Sequence, residues 1–192
     1  MQTPPDFHYR AAFVTVDEER ALVALIERIP FSRVEMRGGV ARRRTAHYGL
    51  TYAYDARRTE PGEPIPDFLL PLRARAADWA GIPPDDFVEA LITEYTAGAG
   101  IGWHRDAPMF GDVIAGVSLL GSSRMRFRPY ISPTELATSA SSPPRRATHD
   151  VTLEGRSGYL ITGAARREYE HSIPAVERLR YSVTFRTLRR SC

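Results

Sequence analysis

The chain has 192 residues, 43% of them apolar, with 26 basic and 23 acidic side chains and a formal net charge of +3. That length and balance fit one soluble globular domain over residues 1–192, and no apolar run reaches the length that crosses a bilayer. A single cysteine, Cys192, excludes an internal disulfide, and no basic-plus-apolar leader occupies residues 1–12. The expectation is a monomer in the reducing cytoplasm, without a membrane partner.

All 26 basic residues are arginine, and neither lysine nor asparagine occurs anywhere. Arginine is therefore doing lysine's surface work, so clusters such as Arg42-Arg43-Arg44, Arg124/Arg126/Arg128 and Arg145-Arg146 say less about nucleic acid than they otherwise would. The net positive charge permits attraction to phosphates without requiring it.

In chain order, Asp17-Glu18-Glu19-Arg20 leads into residues 21–29, with Leu22, Leu25, Ile26 and Ile29 at helical spacing and acids in the first turn. Pro30 stops that helix. Residues 42–55 hold His47, Tyr48, Tyr52 and Tyr54 among arginines. Such rings can stack on an extruded base beside phosphate-binding guanidiniums, or pack on the core as an ordinary hairpin. A second helix is predicted over residues 67–79, closed by Gly81 and Pro83.

The texture then changes to short β-type runs at 87–95, 101–106, 113–120, 124–130, 149–153, 159–162, 169–173 and 180–188. Residues 132–146, rich in Ser, Pro and Ala, read as a mobile loop. Eight short strands after a helical start predict a mainly β fold with flanking helices, an α+β jelly roll. Residues 1–86 would supply the N-terminal helices and a lid, and 87–188 the core.

Two segments carry chemistry. His104 and Asp106 follow a glycine-rich turn (Gly98, Gly100, Gly102), and alternate residues of an extended segment share a face, as joint metal ligation requires. With 5 His and 23 acids in 192 residues, chance alone supplies roughly 0.6 such pairs, so the pair needs support. Residues 180–186 give it: Arg180, Ser182, Thr184 and Arg186 share one strand face, and Tyr181, Val183 and Phe185 the other. Two inward arginines demand an anion, and guanidinium matches a carboxylate. Outward arginines on a solvated edge strand are the alternative. His8, His47 and His149 lack an acid at metal spacing and read as surface or packing histidines.

These residues resemble the AlkB-like Fe(II)- and 2-oxoglutarate-dependent dioxygenases. The likeness runs through residues 94–106, 158–163, 170–174 and 180–186, and spans about residues 40 to 188. It implies a double-stranded β-helix with an N-terminal helical extension and a substrate-recognition lid. It implies Fe(II) held by His104, Asp106 and His171, with Tyr95, Arg180, Ser182, Thr184, Arg186 and Thr93 around the cosubstrate 2-oxoglutarate, and O2 as the oxidant. The family string is commonly Arg-x-Asn-x-Thr-x-Arg, and Ser182 replaces its asparagine; Thr93 replaces another two residues before Tyr95. Both keep a short hydrogen-bonding side chain.

By the same resemblance residues 42–55 lie where the lid does, with Tyr48, Tyr52 and Arg44 expected on substrate, and alkylated DNA or RNA as the expected partner. Relatives that demethylate bases often carry an acid two residues after the aspartate, where this chain has Pro108. That keeps open an oxygenase acting on a protein side chain or small molecule, and a catalytically silent jelly roll that binds a partner. Two histidines and a carboxylate also suit zinc, while the paired arginines favour iron with an anionic cosubstrate.

Overall fold

The computed structural model describes residues 3–36, 39–53, 58–132 and 148–189. Thr15 opens the first helix, α1 (Val16–Ile26), with a reciprocal capping box: its hydroxyl accepts from the Glu18 amide while the Glu18 carboxylate accepts from the Thr15 amide. The helix thus starts earlier than its apolar spacing predicts. Its last turn tightens before Pro30, with Ile29 N donating to the Ile26 carbonyl at 3.0 Å. The second, α2 (Leu70–Ala80), follows a 3-10 turn (Asp67–Leu69) and ends at Gly81, whose φ of 69° lies in the left-handed region. Ile82 N then closes the end on the Ala77 carbonyl at 3.1 Å.

The strands predicted from residue 87 onward all form: β5 (Phe87–Tyr95), β6 (Ile101–His104), β7 (Phe110–Leu120), β8 (Ser123–Pro129), β9 (His149–Leu153), β10 (Gly158–Ile161), β11 (Tyr169–Ile173) and β12 (Arg180–Leu188). A short helix, α3 (Gly163–Arg167), separates β10 from β11. The first 86 residues are less helical than expected. They also contribute β1 (Phe7–Arg10), β2 (Ser32–Met36), β3 (Gly39–Ala53) and β4 (Arg58–Pro61).

Among the described residues, antiparallel pairing gives two sheets. The larger has the order β1-β10-β7-β12-β5-β3-β2, with β4 on β3, and the smaller the order β6-β11-β8-β9. This is the mainly β, double-stranded β-helix architecture with flanking helices. The segment expected as a lid is split: residues 44–49 of β3 pair with β5 inside the larger sheet, and residues 50–53 pair with β4. Gly49 makes the transition, at φ 81° and so close to β5 that a Cβ would collide with the Val88 carbonyl oxygen. The loop expected at 132–146 falls, but for its first residue, outside the described residues.

The core has two layers, which assign a direction to every side chain of the central strands. Tyr181, Val183 and Phe185 of β12 and Ala90 and Ile92 of β5 pack against Leu22, Ile26, Leu72 and Ala77 of the helices. Full burial of a ring such as Phe185 stabilises by about 1.5–3 kcal/mol. Between the sheets lies the second cluster, built on Phe7, Met125, Phe127, Leu153, Tyr159 and Ile173. The alternate residues of β5 and β12 therefore point between the sheets. Among the described residues no helix is long and apolar enough to cross a membrane.

Candidate active site

A cavity of about 230 Å³ opens between the two sheets. His104 and His171 enter it directly opposite each other in the β6–β11 pairing, with ring centroids 4.3 Å apart. Asp106 follows just beyond the end of β6, and its Oδ2 lies 3.7 Å from His171 Nε2. His104 Nδ1 donates to the Gly102 carbonyl at 2.9 Å, which leaves Nε2 as the unprotonated nitrogen. Burial lowers the His104 pKa, and burial followed by the neighbouring His104 pushes that of His171 down to about 3. Both rings are neutral donors near pH 7.

Burial alone would raise the Asp106 pKa, but the Arg186 guanidinium beside it outweighs burial and holds the carboxyl well below its ordinary value. Arg186 reaches Asp106 Oδ1 from both Nε, at 2.8 Å, and Nη2, at 2.6 Å. Among the described residues no three acid, histidine or cysteine side chains stand at closed metal-coordination spacing. The donor chemistry nevertheless fits a divalent metal: two neutral imidazoles and one ionised carboxylate converge on a single cavity.

Arg180 is completely buried. Its Nε donates to Ser118 Oγ at 2.9 Å, while Nη1 and Nη2 have no hydrogen-bond partner. The guanidinium stacks on Tyr95, 5.1 Å from the ring centroid, and it sits behind the cavity wall that Tyr95 and Tyr159 form. Burial lowers its pKa and raises that of Tyr95. A buried cation with two unsatisfied donor groups is unfavourable by itself, and a carboxylate answers it in charge and in fork geometry. Thr93, Ser182, Thr184 and Arg186 line the same cavity, so the shared face read from the sequence is the face that forms the site.

Two of the expected substrate residues lie elsewhere. Arg44 makes a bidentate ion pair with Glu94, at 2.7 and 2.9 Å, on the helix-facing side of the sheet, and Tyr48 packs against the helix-side core. The strand period of 2 explains the correction: once Tyr48 packs on the helix-side core, Ala46 and Arg44 share its side, and Arg43, Thr45 and His47 face the cavity instead. Tyr52 pairs with Thr59 in β3–β4; its side chain and Tyr54 lie outside what the structure describes.

Three further residues were not read from the sequence. His47 lines the cavity and places Nδ1 3.2 Å from Glu89 Oε1, and Glu89 Oε2 accepts from Arg186 Nη1 at 2.8 Å. Arg166 is buried and donates to the carbonyls of Asp106, Ala107, Phe110 and Gly111, at 3.1–3.4 Å, so it clamps the loop that carries Asp106. Only β3's register, which requires a partner strand, would have turned His47 inward. Arg166 and Glu89 carry no local signal in an arginine-rich chain.

Facing sheets around a small polar cavity, with a two-histidine, one-carboxylate set on one side and a buried cation on the other, define the non-haem iron oxygenases of the double-stranded β-helix class. The chain belongs to the 2OG-Fe(II) oxygenase superfamily, which matches residues 19–186. Fe(II), 2-oxoglutarate and O2 are the cofactor and cosubstrates of that family. Within it the chain is AlkB-like. It is 30% identical over 196 residues to an Arabidopsis thaliana protein named "Alkylated DNA repair protein ALKBH8 homolog", with 93% of this chain and 54% of that protein covered. It is 28% identical over 200 residues to the Homo sapiens "Alpha-ketoglutarate-dependent dioxygenase alkB homolog 4", with 92% and 65% covered. The chain thus spans between about half and two thirds of these relatives.

Two solved structures share the fold. The structure of OsALKBH1 superposes with a TM-score of 0.74 at 14% identity, covering 97% of this chain and 99% of that one. A Pseudomonas putida prolyl-4-hydroxylase gives 0.63 at 16% identity, covering 97% and 94%.

Proposed function

We propose that the chain is an Fe(II)- and 2-oxoglutarate-dependent dioxygenase that oxidatively demethylates alkylated nucleic-acid bases. The observation that carries the oxygenase reading is Arg180, a buried guanidinium with two unpartnered donor groups, stacked on Tyr95 in the wall of the cavity that His104, Asp106 and His171 line. Those three would hold the iron. Arg180, backed by Ser118 and stacked on Tyr95, would bind the far carboxylate of 2-oxoglutarate, with Thr93, Ser182 and Thr184 offering hydroxyls along the way. Arg186 fixes Asp106.

Iron and the cosubstrate would supply the oxidation: 2-oxoglutarate would lose CO2 and take up one atom of O2 as it becomes succinate, and the other atom would go to the substrate's N-alkyl carbon. The resulting hemiaminal breaks down to formaldehyde and the bare nitrogen. The protein's own part is orientation, charge placement and exclusion of water. Leu91, Ile114 and Ile173 give the cavity apolar walls, and Arg43 and Arg105 in its lining offer charge to phosphates. The printed name of the Arabidopsis thaliana relative, an alkylated DNA repair protein homologue, supports the nucleic-acid reading.

A protein side chain or small molecule as substrate is the second reading. It is favoured by Pro108, which stands where base-demethylating relatives often carry an acid. Formaldehyde release from methylated oligonucleotides, compared with methylated peptides, separates the two. Release from the oligonucleotides alone is the expected result, and release from peptides alone overturns the nucleic-acid assignment.

A further inference from the structure

We propose that Glu89 is a positioning residue: through Arg186 it fixes the Asp106 carboxylate and keeps it available to a divalent metal. The proposal rests on the reading of the cavity as an iron site. Glu89 lies directly across from Arg186 in the β5–β12 pairing, and its side chain is 2% exposed. An ionised carboxylate at that depth is strongly disfavoured unless both oxygens are engaged. Oε2 accepts from Arg186 Nη1 at 2.8 Å, and Oε1 meets His47 Nδ1 at 3.2 Å.

Arg186 turns its other edge, Nε and Nη2, onto Asp106 Oδ1. One guanidinium is therefore shared by two carboxylates. Paired with Asp106 alone, Arg186 would be free to rotate, and its whole charge would compete with a metal for that carboxylate. With Glu89 opposite, the plane of the guanidinium is fixed on a rigid strand pair, and the three charges leave a net negative balance beside the two histidines. Glu89 need not touch metal or substrate to act this way. Partners of this kind orient a ligand and tune its basicity, and their loss typically costs about 10- to 100-fold in metal affinity.

A different carboxylate on the same strand provides the control. Glu94 is also buried and also paired with an arginine, but on the helix-facing side. The experiment is titration of the full chain with Co(II), without 2-oxoglutarate, followed by calorimetry and by the visible d–d spectrum. Glu89→Gln, which keeps the shape and removes the charge, is expected to bind Co(II) about tenfold or more weakly with an altered spectrum. Glu94→Gln is expected to stay within about twofold of wild type, whatever its cost in thermal stability.

Glu89→Gln with wild-type affinity and spectrum overturns the proposal. If that variant does not fold, Glu89→Asp takes its place: the shortened carboxylate loses the reach to Arg186, so weaker binding supports the proposal and unchanged binding overturns it. Wild-type protein that binds no Co(II) removes the iron-site reading and the proposal with it, an outcome distinct from tight wild-type binding with an unaffected Glu89 variant.

Discussion

Arg180 and Ser118 are joined by one hydrogen bond, from Nε to Oγ at 2.9 Å, and both side chains are completely buried. The bond anchors one edge of the guanidinium, while the terminal nitrogens keep two unsatisfied donor groups. Ser118→Ala removes the anchor and leaves the charge. A hydrogen bond of this kind is worth about 1–2 kcal/mol, so the KM for 2-oxoglutarate is expected to rise roughly five- to thirtyfold with kcat less affected. Arg180→Lys, which cannot offer a planar fork, should raise KM further. Steady-state succinate formation measures both.

Arg44 and His47 test the orientation of β3. Arg44→Ala leaves the buried Glu94 without its bidentate partner, yet Arg44 is nearly half exposed and partly screened. The expected cost is about 1 kcal/mol of stability, with succinate formation unchanged. A large loss of activity without loss of stability would place Arg44 in the site and contradict the register. Denaturant unfolding and turnover on the same preparation decide it.

Gly49→Ala is expected to destabilise by about 1–3 kcal/mol, because φ is positive there and the added methyl meets the Val88 carbonyl. Gly102→Ala, with nothing within 4 Å of the new methyl, serves as the comparison on a glycine without that crowding. Thermal unfolding of the two variants reads the difference.

The Thr15 and Glu18 capping box gives a pH-dependent prediction. Hydrogen bonds from Arg75 and from the Thr15 amide lower the Glu18 pKa from 4.5 to about 2. A depressed folded-state value means that the carboxylate stabilises the fold above pH 4.5 and that the contribution fades as pH falls toward 2. Glu18→Gln should therefore be less stable than wild type at pH 6, with the gap closing on acidification. Thr15→Ala should cost about 1 kcal/mol at neutral pH. Urea titrations between pH 3 and 7 check the trend.

Much of the larger design was legible in the residues. The alternation of Arg180, Ser182, Thr184 and Arg186 with Tyr181, Val183 and Phe185 encodes a strand buried on both faces, and the two faces do meet different layers. His104 and Asp106 were readable from spacing, and His171 from the family likeness. The N-terminal strands were not. Three consecutive arginines, Arg42 to Arg44, break the alternation that would mark the apolar face of β3, and the sheet that accepts it is assembled from residues about fifty positions away. A shift of one residue in the inferred face was enough to select Arg44 and Tyr48 in place of Arg43, Thr45 and His47. Arg166 escaped for a related reason: its partners are backbone carbonyls, and their positions exist only in the folded chain.

The central claim, one cavity that binds metal and 2-oxoglutarate together, is tested most directly by anaerobic titration of the protein with Fe(II) and 2-oxoglutarate, followed by visible absorption. The account predicts a charge-transfer band in wild type that is lost in His171→Ala and strongly weakened in Arg180→Ala at the same cosubstrate concentration. Retention of the full band in both variants would contradict it.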